Sequence, residues 1–64
     1  MAKYNFIKLT MSKNGAPVYI EAGHISTMIS DDSATAVYLT GDPTPVSVRE
    51  TPEQIIGLMD YWNN

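Results

Sequence analysis

At residues 48–55 the chain reads Val48-Arg49-Glu50-Thr51-Pro52-Glu53-Gln54-Ile55, and this junction divides an extended, β-rich sequence from a C-terminal helix. The Thr51 hydroxyl can accept a hydrogen bond from the backbone N–H of Gln54, and the Gln54 side chain can reach back to Thr51. Pro52 suits the first helical position, because the N–H that proline lacks has no partner there. The junction therefore predicts a helix over residues 52–62.

The predicted helix carries an apolar stripe with spacings of three, four and seven residues, which is typical of a helix that packs on a core. Gly57, in the middle of the helix, costs about 1 kcal/mol relative to alanine, so either another group packs very close to it or the helix bears the loss. The stripe comprises Ile55, Leu58, Met59 and Trp62, with Ile56 on its flank.

Before the junction, apolar and polar residues alternate in five short runs, as expected for half-buried strands. The predicted strands cover about residues 6–11, 17–20, 25–30, 34–40 and 46–49. Asn14-Gly15 favours a type I′ hairpin turn after the first strand, and Pro17 suits a strand start or an edge. Gly23 marks a bend or a bulge, and Asp31-Asp32-Ser33 predicts a polar turn.

Sequential strands joined by short turns predict one α+β domain over residues 1–64. We expect a four- to five-stranded antiparallel meander, open or rolled into a small barrel, with one C-terminal α-helix packed on one face. Ile25 or Ile29 joins the face under the helix, according to the register after Gly23. The other residues expected on that face are Ile7, Leu9, Met11, Val18, Ile20, Val37, Leu39, Val46 and Val48.

The opposite face of the sheet is expected to hold three aromatic residues and a methionine, with no second helix to cover them. Such a surface suits self-association or a partner protein, since Tyr and Phe anchor many interfaces. Alternatively, these residues form cross-strand pairs on an exposed face, or strong twist buries them in a barrel. The predicted partner-binding residues are Phe6, Tyr19, Met28 and Tyr38.

Composition narrows the chemistry that the chain can support. It has 64 residues and no cysteine, which excludes disulfides, thiolate metal sites and cysteine nucleophiles and suits a reducing compartment. The single His24 cannot form a zinc site by itself. No apolar run approaches the about 20 residues that span a bilayer, and the first residues lack an apolar signal core. We therefore expect a cytoplasmic protein without a membrane segment, metal or other cofactor.

Candidates for catalysis are few. His24 and Ser26 can be drawn as a dyad with Asp31 or Asp32, but no spacing enforces it, and a loop histidine is the expected reading. Gly41-Asp42-Pro43 is followed by a strand instead of a helix, so it lacks the arrangement that cradles phosphate. A chain of 64 residues also leaves little room for a deep pocket. We therefore predict that the protein is not an enzyme.

Charge disfavours a nucleic-acid partner. Seven acidic and four basic residues give a formal net charge of −3, whereas nucleic-acid binding depends on a clustered basic face. The alternatives are a nucleic-acid-binding regulator that stacks bases on the sheet aromatics and an acidic inhibitor of a nucleic-acid-handling protein. The basic residues are scattered over Lys3, Lys8, Lys13 and Arg49.

Six motifs occur in order along most of the chain. They are Phe6-Ile7-Lys8-Leu9-Thr10, Asn14-Gly15, Val18-Tyr19-Ile20, His24-Ile25, Val37-Tyr38-Leu39 and Val46-Ser47-Val48-Arg49-Glu50-Thr51-Pro52-Glu53-Gln54-Ile55. This set resembles the FlbD-type family of small flagellar and motility-associated proteins, and short phage and prophage proteins share the same outline. The resemblance covers about Phe6 to Met59. The chain departs from the family at Glu21-Ala22-Gly23-His24, which lacks the usual Asn-Pro, and at Gly41-Asp42-Pro43-Thr44-Pro45, which replaces a glycine hairpin.

The resemblance implies an accessory or regulatory factor and brings no catalytic residues with it. We therefore predict a small, non-catalytic protein-binding module, phage-borne or bacterial. It is expected to act through the aromatic sheet face, either by forming a homo-oligomer or by docking on a larger protein.

Overall fold

The computed structural model describes the backbone of residues 5–63 and the side chains of residues 5–59. A 3-10 turn, Ala22–His24, separates the second strand from the third. The α+β class, the antiparallel pairing and the C-terminal helix are confirmed. The strands are β1 (Phe6–Thr10), β2 (Pro17–Glu21), β3 (Ile25–Ser30), β4 (Thr35–Leu39) and β5 (Val46–Val48), and the helix is α1 (Pro52–Asn63).

The strands form two antiparallel sheets instead of one meander. β1 pairs with β2, and β3, β4 and β5 form a separate three-stranded sheet. The prediction of a single four- to five-stranded sheet is therefore wrong, and the described strands do not close into a barrel. The physical reason lies at Ala22–His24, where a 3-10 turn takes the place of a tight hairpin, so β3 does not pair with β2.

The two sheets meet at one corner, where the end of β1 passes the end of β5. Met11 and Val48 form an isolated antiparallel bridge. The N–H of Ser12 donates to the carbonyl of Ser47 at 3.0 Å, and the N–H of Arg49 donates to the carbonyl of Thr10 at 2.8 Å. Main-chain hydrogen bonds thus hold the hairpin against the three-stranded sheet at this corner.

The core lies between the inner faces of the two sheets and one side of α1. In the helix, Ile55 is fully buried and Met59 packs against the core, as the predicted stripe requires. Leu58 is 36% exposed, so its placement in the core was wrong, because the buried side of α1 is centred between Ile55 and Met59. The Trp62 side chain lies outside the described residues. The buried residues are Ile7, Leu9, Ile20, Ala22, Val37, Val48 and Ile55.

A bulge in β3 decides which of its side chains face the core. Ile25 pairs with Leu39 but Thr27 pairs with Tyr38, so one extra residue lies in β3 between these pairs. An extra residue shifts the alternation of side chains beyond it. Ile25 and Met28 consequently both pack against the core, whereas Ile29 is 54% exposed. The expected position of Met28 on the outer face is therefore wrong.

The helix start has the predicted reciprocal cap. The N–H of Gln54 donates to the Thr51 hydroxyl oxygen at 3.1 Å, and the N–H of Thr51 donates to Gln54 Oε1 at 2.9 Å. α1 begins at Pro52, as expected. Among the described residues, no helix combines the length and the apolar character needed to cross a membrane.

Glu50 ties this junction to strands of both sheets. Its two carboxylate oxygens accept hydrogen bonds from the N–H and the hydroxyl of Thr10, each at 2.9 Å. Its carbonyl accepts a hydrogen bond from the buried hydroxyl of Thr35 at 2.6 Å. Burial alone raises the pKa of Glu50, but the bonds from Thr10, the Glu50 N–H and the Arg49 charge hold that pKa below its ordinary value of 4.5.

The hairpin between β1 and β2 forms as predicted, but its turn is not of type I′. That turn needs positive φ at two residues. Among the described residues, only glycines have positive φ. Gly15 alone has it in this turn, at +76°, and donates its N–H to the carbonyl of Met11 at 3.0 Å. Asn14 instead accepts the N–H of Ala16 through its side chain at 3.0 Å.

Candidate functional site

The structure separates the four residues predicted to bind a partner. Phe6 and Tyr19 lie on the outer side of the β1–β2 hairpin and are 49% and 60% exposed. Tyr38 is half-buried and belongs to the other sheet, where it lies opposite Thr27. Met28 packs against the core. Only Phe6 and Tyr19 therefore share a surface.

Phe6 and Tyr19 border a groove of about 400 Å³ that runs between the two sheets. Its apolar wall consists of Val18 from β2, Leu39 from β4 and Val46 from β5, all half-buried and packed against the core. The groove is therefore an opening onto the edge of the hydrophobic core. The remaining lining residues are Ile20, Glu21, His24, Thr40 and Asp42.

The groove stays open because α1 and the junction that leads from β5 into α1 lie on other sides of the core. β5 enters its sheet at Val46, beside the groove, and leaves it at Val48, next to the junction that leads into α1. α1 packs along β1 and β3, and none of its described residues lines the groove. On the groove side, the 3-10 turn bridges the sheets through the Thr40 N–H, which donates to the His24 carbonyl at 2.7 Å.

The rim of the groove is acidic. Glu21 and Asp42 both line it, whereas none of the lysine and arginine residues that the structure describes does. The Glu21 carboxylate lies beside the His24 ring, with 3.0 Å between His24 Nε2 and Glu21 Oε1. Asp42 accepts the N–H of Thr44 at 3.0 Å, which orients its carboxylate within the loop after β4. The groove thus combines an apolar wall with two carboxylates at its border.

The side chains that could have formed a catalytic dyad have other partners. His24 pairs with Glu21, and the Ser26 hydroxyl donates to the carbonyl of Tyr38 at 3.2 Å. The Asp31 carboxylate accepts the N–H groups of Ser33 and Ala34 at 3.1 and 3.0 Å, which confirms the predicted polar turn. No described hydrogen bond joins His24 to Ser26 or to Asp31, so the structure does not assemble the dyad.

The described basic residues lie on the hairpin and at the junction. Lys8 is exposed on β1 opposite Tyr19, and Lys13 is exposed in the hairpin loop. The guanidinium of Arg49 approaches that loop, since its Nη1 lies 3.4 Å from the position that a Cβ on Gly15 would take. Lys3 lies outside the described residues.

Sequence reasoning missed the groove for a geometric reason. Val18, Leu39 and Val46 were expected on the covered face, and they do pack against the core. Their partial exposure arises where the two sheets diverge, and the local pattern of any one strand carries no signal for that divergence. Their neighbours Phe6 and Tyr19 were found, because exposed aromatic residues on a strand are visible from the alternation.

No protein-family model matches this chain, and no curated protein or solved structure matches it either. The resemblance to the FlbD-type family therefore stays a prediction that rests on the six motifs.

Proposed function

We propose that this chain is a non-catalytic protein-binding module whose groove takes a large apolar side chain of a partner protein, flanked by lysine or arginine. One observation carries the proposal: Val18, Leu39 and Val46 form an apolar wall that the described fold leaves open between its two sheets. The FlbD-type resemblance supports an accessory or regulatory role for such a module, bacterial or phage-borne, in the cytoplasm.

The size of the groove fits one large side chain. Its volume of about 400 Å³ falls in the lower part of the range of about 300–1,000 Å³ typical of ligand pockets. An aromatic side chain that buries about 150–250 Å² gains roughly 4–6 kcal/mol before the costs of association. Those costs consume much of the gain for a short peptide, so we expect a dissociation constant of about 1 mM for a minimal probe.

The charges at the rim predict which residues flank the bound side chain in the partner. Glu21 and Asp42 border the groove, and within residues 5–59 no lysine or arginine lines it, so cationic flanks are attracted and anionic flanks are repelled. Exposed ion pairs contribute about 0.2–1 kcal/mol each. Two such pairs contribute about 0.4–2 kcal/mol together, which favours a basic peptide over an acidic one of the same shape by at least about twofold.

The test uses two synthetic peptides, acetyl-Lys-Trp-Lys-amide and acetyl-Glu-Trp-Glu-amide, titrated separately into isotope-labelled protein and followed by NMR. The basic peptide is expected to shift the amides of Val18, Leu39 and Val46, and to bind more tightly than the acidic one. Tyr19→Ser removes part of the groove border and is expected to weaken binding several-fold.

Two variants serve as matched controls. Ile56→Ser removes a side chain that is 48% exposed on α1, close to the 49% of Phe6 at the groove. Tyr38→Ser removes a tyrosine that does not line the groove. Both are expected to bind the basic peptide like the unmodified chain, whereas Phe6→Ser is expected to bind it more weakly.

Two results would overturn the proposal. One is the absence of amide shifts along the groove at basic-peptide concentrations of about 10 mM, ten times the expected dissociation constant. The other is a loss of affinity that is equal in Tyr19→Ser and Ile56→Ser. An oligothymidine that binds more tightly than the basic peptide at low salt would replace the proposal with the nucleic-acid alternative.

A further inference from the structure

β3 is an edge strand with an open side. It is the outer strand of the three-stranded sheet, and no described strand pairs with its other side. Four of its six residues are exposed, and the strand contains no charged residue, proline or glycine. Alternate N–H and C=O groups of such a strand point outward, where they can pair with another strand. The exposed residues are Ser26, Thr27, Ile29 and Ser30.

The edge strand of the other sheet differs from β3. β2 begins at Pro17, which has no N–H to donate, and ends at Glu21, which is charged. Proline and charged residues on an edge are the devices that discourage pairing with another chain. β3 carries neither a proline nor a charge, its bulge lies at one end of the strand between Ile25 and Thr27, and Ile29 beyond the bulge is 54% exposed on the outer face. β2 and β3 thus differ in the residues that discourage pairing with another chain.

We propose that β3 pairs with β3 of a second copy of this chain, antiparallel about a two-fold axis at Met28. The pairing joins two three-stranded sheets into one sheet of six strands. In such a pair, opposed residues lie on the same face of the sheet. Thr27 of one copy then lies opposite Ile29 of the other on the outer face, and the exposed Ile29 side chains lose contact with water.

The charged residues that follow β3 favour antiparallel over parallel pairing of two copies. Asp31 and Asp32 follow β3 directly, and both are exposed. A parallel pair would place these acidic turns side by side, whereas an antiparallel pair separates them by the strand length of about 20 Å, which exceeds the screening length of about 8 Å. The acidic turn of one copy then lies at the end of β3 where the other copy has His24 and the 3-10 turn.

The first test is the mass of the particle in solution, measured by sedimentation equilibrium. The unmodified chain is expected to sediment at twice its monomer mass of 7.1 kDa. Ile29→Lys places a charge on the open edge and is expected to shift the mass to that of the monomer. Tyr19→Lys is the matched control, because it makes the same change at an exposed position on β2, and it is expected to remain dimeric.

A second measurement does not depend on a variant. The N–H of Asp31 donates to the carbonyl of Ala34 at 2.9 Å, so the alternation along β3 directs the N–H groups of Thr27 and Ile29 toward β4 and those of Met28 and Ser30 toward the open edge. Amide hydrogen exchange of Met28 and Ser30 in the unmodified chain is expected to accelerate on dilution, while exchange in β1 stays constant. A monomer mass for the unmodified chain at about millimolar concentration, or a dimeric Ile29→Lys chain, would overturn the proposal. So would dissociation of the dimer by Tyr19→Lys. The outcome is independent of the groove, because monomeric Ile29→Lys is still expected to bind the basic tryptophan peptide.

Discussion

Replacing Glu50 with alanine is expected to lower the free energy of unfolding by about 2–3 kcal/mol. The substitution removes two hydrogen bonds to a charged acceptor, one from the Thr10 N–H and one from the Thr10 hydroxyl, each at 2.9 Å. Such bonds contribute about 1.5–3 kcal/mol each when buried. Glu50 is only partly buried, so we take about 1–1.5 kcal/mol for each bond.

The contribution of Glu50 also depends on pH, and the sign follows from its pKa. The hydrogen bonds from Thr10 hold the folded-state pKa below the ordinary value of 4.5. The unfolded state therefore binds a proton first as the pH falls, so this stabilisation is present above pH 4.5 and is lost as the pH drops through the folded pKa. The Glu50→Ala chain is expected to lose less stability than the unmodified chain over that interval.

The assay is urea unfolding at one fixed protein concentration, supported by thermal melts. For a domain of this size a loss of about 2–3 kcal/mol lowers the melting temperature by roughly 10–20 °C. Glu53→Ala is the matched control, since it removes an exposed glutamate near the helix start and is expected to cost at most about 0.5 kcal/mol. Equal destabilisation by Glu50→Ala and Glu53→Ala would contradict the role assigned to the hydrogen bonds between Glu50 and Thr10.

Three further substitutions test local features of the fold by the same unfolding assay. Gly57→Ala is expected to stabilise the chain by up to about 1 kcal/mol, because nothing lies within 4 Å of the position that its Cβ would take. A loss of stability in this variant would reveal a packing constraint at that position. Gly15→Ala is expected to cost about 1–2 kcal/mol, because φ is +76°, a backbone conformation that residues with a side chain rarely adopt. An unchanged midpoint would contradict the turn geometry. Thr51→Ala removes the acceptor for the Gln54 N–H and is expected to cost about 1 kcal/mol, which a Thr51→Ser control should largely recover.

Features that depend on neighbouring residues could be predicted from the sequence. The cap formed by Thr51 and Gln54 joins residues three positions apart, so the residue types and their spacing determine it. The same holds for the Asp31 turn, for the start of β2 at Pro17 and for most strand boundaries. These local interactions indicated five strands and one helix in the correct order.

Features that depend on distant residues could not be predicted. Glu50 accepts a hydrogen bond from Thr10, which lies 40 positions away in the sequence. Neither motif indicates that the other residue is its partner. The division into two sheets depends on whether Ala22–His24 forms a tight turn or a 3-10 turn, which differ little in the residues that they accept. The sequence did not indicate the bulge in β3 either. Because of this bulge, Met28 packs against the core instead of lying on the outer face.

The expectation that the four predicted partner-binding residues share one face was wrong for the same reason. Phe6 and Tyr19 share one border of the groove, but Tyr38 belongs to the other sheet and does not line it. Assigning all four residues to one face required one continuous sheet, and the chain does not form one. The apolar wall of the groove therefore consists of parts of β2, β4 and β5 that come together only in the folded chain.

The most direct test of the groove is the location of a bound side chain. Intermolecular nuclear Overhauser effects are measured between the indole ring of bound acetyl-Lys-Trp-Lys-amide and the methyl groups of the isotope-labelled protein. We expect contacts from the indole to the methyl groups of Val18, Leu39 and Val46. Contacts to Ile29 or Ile56 in their place, or an indole without contacts to any of the three wall residues, would contradict binding in the groove.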